Sequence, residues 1–577
     1  MHSTRHKHII YQLLVRHFGN RKSTNKYFGT LEENGCGKFN DITDKALSEL
    51  RAFGVTHIWY TGILEHATLT DYSAFGIAKD HPQIVKGIAG SPYAIKDYYD
   101  VDPDLAENIT QRLSEFEALI HRTKENGLKS IIDFVPNHVA RSYRSDQKPQ
   151  RVKDFGEDDD KQKAFSPNNN FYYIPGENLT LPSRQDIPIS LSDGDYQEFP
   201  ARATGNDVFN ARPSIHDWYD TVKLNFGVDY LQGRKAWFHP LPDTWKKMKD
   251  ILSFWVSKGV DGFRCDMAEM VPVEFWAWVI PQLKAINPEL IFIAEIYNPG
   301  EYHRYIHQGC FDYLYDKVGL YDALRRLIEG HGHADDITRI WQTESGDISQ
   351  HMLRFLENHD EQRIASRFFA GNPFKALPAM VLSATLHSGP VMIYSGQEVG
   401  VAAEGTEGFQ GDDGRTTIYD YWGIPELQAW TNQGMFDGGK LSDSQKKLRQ
   451  FYRNLNFFVR KNEAIYEGLF YDLQYVNFHG QSPGYDSSRL FSFLRYTENQ
   501  KLIAVFNFDH QRSFSTHLRI PENVWNTNLQ LSSELTYKLT EIFDPQTPDF
   551  DFCFRDNPQG IPLELPPCSF KIWQVIG

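Results

Sequence analysis

Four short segments, each at the end of an apolar run, carry five carboxylates, two histidines and an arginine between them, and they constrain the chain more than any other feature. They are Asp133-Phe-Val-Pro-Asn137-His138, Gly262-Phe-Arg264-Cys-Asp266, Ala294-Glu295 and Glu357-Asn358-His359-Asp360. The runs before them, Lys129-Ser-Ile-Ile132, Leu290-Ile-Phe-Ile293 and Leu353-Arg-Phe-Leu356, are short, β-branched or aromatic, and bounded by turn residues. Buried parallel strands read this way, because both faces of such a strand are covered. Polar residues that follow parallel strands gather at the carboxyl edge of the sheet, and in a closed barrel that edge is where sites are built.

Eight strand-like runs recur along the chain, around Ile9–Val15, Val55–Thr61, Ser130–Val135, Gly262–Met267, Ile291–Ile296, Phe311–Leu314, Met352–Leu356 and Val391–Tyr394. Amphipathic stretches such as Ile109–Asn126, Thr244–Lys258, Pro272–Ile286 and Tyr321–Glu329 lie between them. Eight such units predict an α/β fold, a closed (β/α)8 barrel with right-handed crossovers. Between His138 and about Phe226 the text turns polar and loop-rich, too long for an ordinary connection. It predicts a domain inserted after the third strand, overhanging the site-bearing face. Beyond about Tyr466, short alternating runs (Leu490–Leu494, Leu502–Phe506, Phe570–Trp573) predict an antiparallel β-sandwich. The expected division is a barrel over 1–139 and 226–465, an insertion over 140–225 and a C-terminal sandwich over 466–577.

At 577 residues the chain exceeds what one core supports, in keeping with several domains. A net charge of −15 argues against nucleic acid, whose phosphates demand a basic stripe. No apolar run reaches the length of a membrane span. The five cysteines (Cys36, Cys265, Cys310, Cys553, Cys568) are scattered and in no metal spacing, which fits a reducing compartment. Ile9–Val15 is interrupted by Tyr11-Gln12 and stopped by Arg16, so it reads as a first strand and not as a secretion signal. A cytoplasmic location is the expectation.

Arg264 and Asp266 are two apart on a strand and share a face. A guanidinium beside a carboxylate favours its ionised form, which a nucleophile requires. Glu295 follows a more apolar run, and desolvation beside another carboxylate would keep it protonated as a general acid. Two carboxylates in opposed environments are the pattern of glycoside hydrolysis. Asp360 is a third carboxylate, available to grip sugar hydroxyls together with His138 and His359. Taken singly, each of these residues is as readily a cap, an ion-pair partner or a core histidine. Four motifs in barrel order make coincidence a poor account.

These segments resemble the sequence regions of the α-amylase superfamily, glycoside hydrolase family 13, over nearly the whole chain. Asp133-Phe-Val-Pro-Asn-His138 resembles the first region, Gly262-Phe-Arg-Cys-Asp266 the second, Ala294-Glu295 the third and Asn358-His-Asp360 the fourth. The resemblance implies Asp266 as nucleophile, Glu295 as acid/base and Asp360 as transition-state stabiliser, with Arg264, His138 and His359 around the −1 sugar. Ser91-Pro-Tyr93 resembles the segment whose tyrosine stacks under that sugar. Lys223-Leu224-Asn225 resembles the fifth region in its maltodextrin-type form, which implies α-1,4-glucan substrates in starch or maltodextrin breakdown. Where many α-amylases have Lys-His this chain has Glu269-Met270, so the acceptor side is expected to differ. Asn137 matches the family's side-chain ligand for calcium (Ca2+), or else satisfies backbone hydrogen bonds at its turn. Three readings remain open at this point: a retaining hydrolase, a 4-α-glucanotransferase using a sugar as acceptor, and a non-catalytic amylase-like binding protein. The retained carboxylates weigh against the last.

Overall fold

In the computed structural model, which describes residues 6–183, 194–407, 411–478, 480–544 and 546–577, the eight expected runs form one parallel sheet. The strands are β1 (Ile9–Leu14), β2 (His57–Thr61), β3 (Lys129–Phe134), β4 (Gly262–Cys265), β5 (Ile291–Ala294), β6 (Tyr313–Tyr315), β7 (Met352–Leu353) and β8 (Val391–Tyr394). Their spatial order is β7-β6-β5-β4-β3-β2-β1-β8. A parallel bridge between Arg354 and Val391 joins the two edges, with Arg354 N donating to Pro390 O at 3.1 Å and Met392 N to Arg354 O at 2.9 Å. The sheet is thereby closed into a barrel. Its strands are buried on both faces, as in β1, where all of Ile-Ile-Tyr-Gln-Leu-Leu is buried. The reason is the ring of helices outside, including Asp44–Ala52, Arg112–Glu125, Asp243–Ser257, Val273–Ile286 and Leu377–Thr385.

After β3 the chain builds small antiparallel pairs instead of another helix at once. His138–Ala140 pairs with Thr221–Lys223, and Tyr173–Ile174 with Ala201–Arg202. Phe155, Phe171, Tyr173, Val222 and Leu224 of this region join the barrel's core, and Leu179, Ala201 and Ala211 form a small cluster of their own. Buried charge supplements it: Arg141 meets Glu198 at 2.8 Å, and Arg202 meets the same carboxylate at 2.6 Å. The insertion expected over 140–225 includes 184–193, which lie outside the described residues.

The helix Asp443–Lys461 opens with a capping box between Ser442 and Gln445 and leads to the C-terminal sheet. Six antiparallel strands run there in the spatial order Leu469–Asp472, Leu490–Tyr496, Lys501–Asn507, Ser569–Ile576, Thr536–Glu541 and Phe550–Cys553. The pair Phe514–Leu518 and Ile561–Leu565 shares their core. Side-chain alternation gives this sheet two jobs. Phe491 and Phe493 pack into the barrel's core, whereas Leu490 and Leu494 belong to the sandwich. All five cysteines are free, and among the described residues no helix is long and apolar enough to cross a membrane.

Candidate active site

Arg264, on β4, is fully buried and organises the carboxyl edge of the barrel. Its Nη1 lies 2.8 Å from Asp266 Oδ1 and 3.4 Å from Asp133 Oδ1, and its Nη2 lies 2.8 Å from Glu295 Oε1. Nε donates to Tyr315 Oη at 3.1 Å. The guanidinium carbon sits over the rings of Trp59, Tyr93 and Tyr315 at 5.2, 5.5 and 5.4 Å. One planar cation thus serves three carboxylates from three adjacent strands, a task that a lysine could not perform.

The sequence suggested that Arg264 would set Asp266 apart from Glu295, but it holds both. The cause is register: Arg264 pairs with Ile293 and Cys265 with Ala294, so the next residues, Asp266 and Glu295, emerge side by side. Burial and the neighbouring Glu295 carboxylate push Asp266 above the usual carboxylate range, against the pull of Arg264. For Asp360 burial is outweighed by His359, Arg264 and Arg415, which hold it below that range. Glu295 is fixed from two further sides, with Tyr297 Oη donating to Oε1 at 2.7 Å and Met267 N to Oε2 at 2.8 Å. Met267 achieves this in a left-handed conformation (φ 43°, ψ 43°), a sparsely populated backbone for a residue with a side chain. Asp266 Oδ1 is engaged by Arg264, whereas Oδ2 has no hydrogen-bond partner among the described residues.

His359 bridges to the remaining carboxylate. Gln12 Nε2 lies 2.8 Å from its Nδ1. Nε2 in turn lies 2.6 Å from Tyr93 Oη and 3.1 Å from Asp360 Oδ2. The rings of Tyr93 and His359 stack with centroids 5.2 Å apart. His138 stands at the edge of this group: it meets the backbone of Tyr93, packs on Trp218 at 5.2 Å, and is drawn down to about 3 by burial, so its imidazole is neutral. The sequence reading missed Gln12, Trp59, Tyr297 and Tyr315. A signal existed only for Gln12, the lone polar residue of the buried β1.

Residues 23–433 match the family model for the α-amylase catalytic domain. The chain belongs to the α-amylase family. α-Amylase 3 of Dictyoglomus thermophilum is 23% identical over 440 residues, covering 72% of this chain and 70% of that protein. Neopullulanase 2 of Thermoactinomyces vulgaris is 23% identical over 410 residues, 68% of this chain and 56% of its own length. Among solved structures, a maltogenic α-amylase of Thermotoga neapolitana superimposes with a TM-score of 0.61 at 18% identity, covering 99% of both chains. As an α-amylase family member the chain is a glycoside hydrolase, a glycosidase or transglycosylase in its reaction class.

Two positions depart from what the family implies. Asn137 Oδ1, its expected calcium ligand, accepts from the Lys223 ammonium at 2.5 Å. Lys223 Nζ also lies 2.7 Å from Asp207 Oδ1 and 3.4 Å from Met270 O, and Asn137 Nδ2 donates to Gly205 O at 2.8 Å. Oxygens already gathered around a buried ammonium do not fit a second cation at Asn137. Glu269, in the place of the acceptor-side lysine, is tied to the backbone after β5: its Oε2 accepts from Tyr297 N at 3.1 Å and Asn298 N at 3.0 Å. Beside it a cleft of about 640 Å3 is lined by Tyr230, Arg234, Asn298 and Arg304.

Proposed function

We propose that this chain hydrolyses α-1,4-glucosidic bonds of starch-derived maltodextrins by double displacement, with retention of anomeric configuration. The single observation behind this reading is the shared Arg264 guanidinium, 2.8 Å from Asp266 and 2.8 Å from Glu295. Carboxylates gathered on one cation suit the ~5–5.5 Å spacing of retaining enzymes better than the ~6.5–9.5 Å that admits a water between them. Catalysis uses the form with a proton on Glu295 and the charge on Asp266.

Asp266 Oδ2 attacks the anomeric carbon while Glu295 protonates the departing glycosidic oxygen, leaving a glycosyl ester on Asp266. Glu295, now ionised, takes a proton from water, which displaces Asp266 and releases the sugar. Asp360, aligned by His359, binds ring hydroxyls and tightens as the ring flattens. Tyr93 offers its face to the sugar's C–H surface, and neutral His138 donates to a hydroxyl. The solved relatives include an α-amylase of Geobacillus thermoleovorans complexed with acarbose, which supports an α-glucan substrate here. Five unpaired cysteines suit a cytoplasmic setting.

The test is a time course on maltoheptaose, with products sized and their anomers read by NMR. Shorter products released first as the α-anomer are expected. Products longer than seven units would replace hydrolysis with glucanotransfer, and β-anomers would remove the covalent intermediate. Asp266→Asn is expected to lower kcat by about 10⁴-fold or more with the fold intact, and Glu295→Gln by about 10²–10⁴-fold. Near-normal turnover in a folded Asp266→Asn protein would refute the assignment.

A further inference from the structure

Away from Arg264, three carboxylates meet on the hairpin that follows β2. Leu64–His66 pairs antiparallel with Ile95–Val101, which sets Glu65 opposite Asp97. Register irregularities on both sides of Glu65 re-aim its side chain. Glu65, Asp97 and Asp100 are 1%, 0% and 1% exposed, and their ligand oxygens lie within 4.8 Å of one another. Protein donors neutralise only part of this group. Asp97 accepts from Tyr99 N (2.8 Å), Ser145 Oγ (2.6 Å), Asp146 N (2.8 Å) and Gln147 N (3.1 Å). Asp100 is ion-paired with Arg112. Lys96, the neighbouring cation, is turned to Asp80 at 2.9 Å. Both carboxylate oxygens of Glu65 are buried without a hydrogen-bond partner among the described residues.

Were all three ionised, one guanidinium would leave two negative charges uncompensated in a buried pocket, which is costly, and burial accordingly raises all three carboxyls. We propose that Glu65, Asp97 and Asp100 form a buried site for one divalent, oxygen-seeking cation of the calcium type. The dimensions agree. Calcium holds oxygens at about 2.3–2.6 Å, so ligands on opposite sides of the ion stand roughly 4.6–5.2 Å apart. Glu65 supplies two unengaged oxygens. Turning the Ser145 hydroxyl hydrogen away opens a lone pair on Asp97 Oδ1, and water from the side of exposed Asp146 completes the shell. Such an ion joins the hairpin carrying Tyr93's segment to Ser145–Gln147 at the root of the insertion, so it acts on stability and not on the chemical step. The site is separate from Asn137, where the Lys223 ammonium already serves as the cation.

The experiment uses the full chain, treated with EDTA and dialysed, then titrated with CaCl2 or MgCl2 while thermal unfolding and binding heat are recorded. Calcium at about 100-fold over its Kd is expected to raise Tm by about 2–6 °C with one ion per chain, and magnesium by less. Glu65→Gln keeps the shape, lowers the internal repulsion and so folds, and it is expected to abolish both the heat and the Tm shift. Silence in the wild type would overturn the proposal and leave Glu65 as a protonated acid. A calcium response retained in Glu65→Gln would overturn it equally, by placing the ion elsewhere. Neither outcome touches the hydrolytic reading, which maltoheptaose tests without added metal.

Discussion

Glu269, in the short turn Ala268–Met270, binds two backbone amides, Tyr297 N at 3.1 Å and Asn298 N at 3.0 Å. Those amides lie two and three residues beyond Glu295, and the Tyr297 hydroxyl donates to Glu295 Oε1 at 2.7 Å. Glu269 is therefore a positioning residue for the proposed acid/base. Its removal frees the segment that aims Glu295, so Glu269→Ala is expected to lower kcat about tenfold, the equivalent of ~1.4 kcal/mol, with KM little changed. Glu269→Gln keeps an acceptor oxygen and is expected to restore most of the loss. A rise in KM alone, measured on maltoheptaose, would mean that Glu269 contacts substrate instead. Asp266, Glu295 and Asp360 were legible because each ends an apolar run. Glu269's task was not, since its partners lie 28 residues on and come close only through the β4–β5 register. Tyr315 and Trp59 were hidden for the same reason: nothing local in a buried strand says which ring will lie against a guanidinium.

At the scale of elements, barrel and sandwich are joined by a buried cation, Arg495, that has no carboxylate partner among the described residues. Arg495, in Leu490–Tyr496, donates to Thr385 O (3.3 Å) and Leu386 O (2.9 Å) at the end of Leu377–Thr385. It also donates to Ile465 O (2.9 Å) and Gly468 O (2.7 Å) around the helix Glu463–Tyr466. Burial and nearby Arg354 pull Arg495 down to about 9, yet at neutral pH it still holds these helix-end carbonyls, which carry partial negative charge. Arg495→Met leaves four acceptors without their donor. We expect a loss of about 3–5 kcal/mol in urea unfolding, with kcat of the folded protein unchanged because Arg495 is remote from Arg264. An unchanged midpoint would show that water replaces the guanidinium. The eight strands themselves were legible from apolar runs, and the misses are local. Pairing in the sixth strand starts at Tyr313, two residues later than expected, where Phe311 packs its ring on Trp276 at 4.8 Å. The seventh ends at Leu353 because Arg354 leaves its neighbour to bridge Val391 and close the barrel.

For the molecule as a whole, one pH lever is Glu357, in the same segment as His359 and Asp360. Arg363 Nη1 lies 2.9 Å from Glu357 Oε2, and Ile364 N donates to Oε1 at 2.6 Å. Burial nevertheless pushes the Glu357 carboxyl up to about 7, outweighing Arg363, and burial raises Glu407 near the same arginine to about 7 as well. A carboxyl raised in the folded state keeps its proton there after the unfolded chain has lost it. Its contribution is therefore whole below its ordinary 4.5, declines as pH rises towards 7, and is constant above that, where both states are ionised. A shift from 4.5 to about 7 corresponds to on the order of 3 kcal/mol for Glu357. Glu407 cannot simply be added, since both carboxyls face one guanidinium. Glu357→Gln has no proton to lose. The stability of wild type relative to this variant is thus expected to fall between pH 4.5 and 8, measured by urea unfolding at each pH. Parallel curves would mean that Arg363 keeps Glu357 ionised throughout, and a wild type gaining on the variant as pH rises would reverse the sign of the argument.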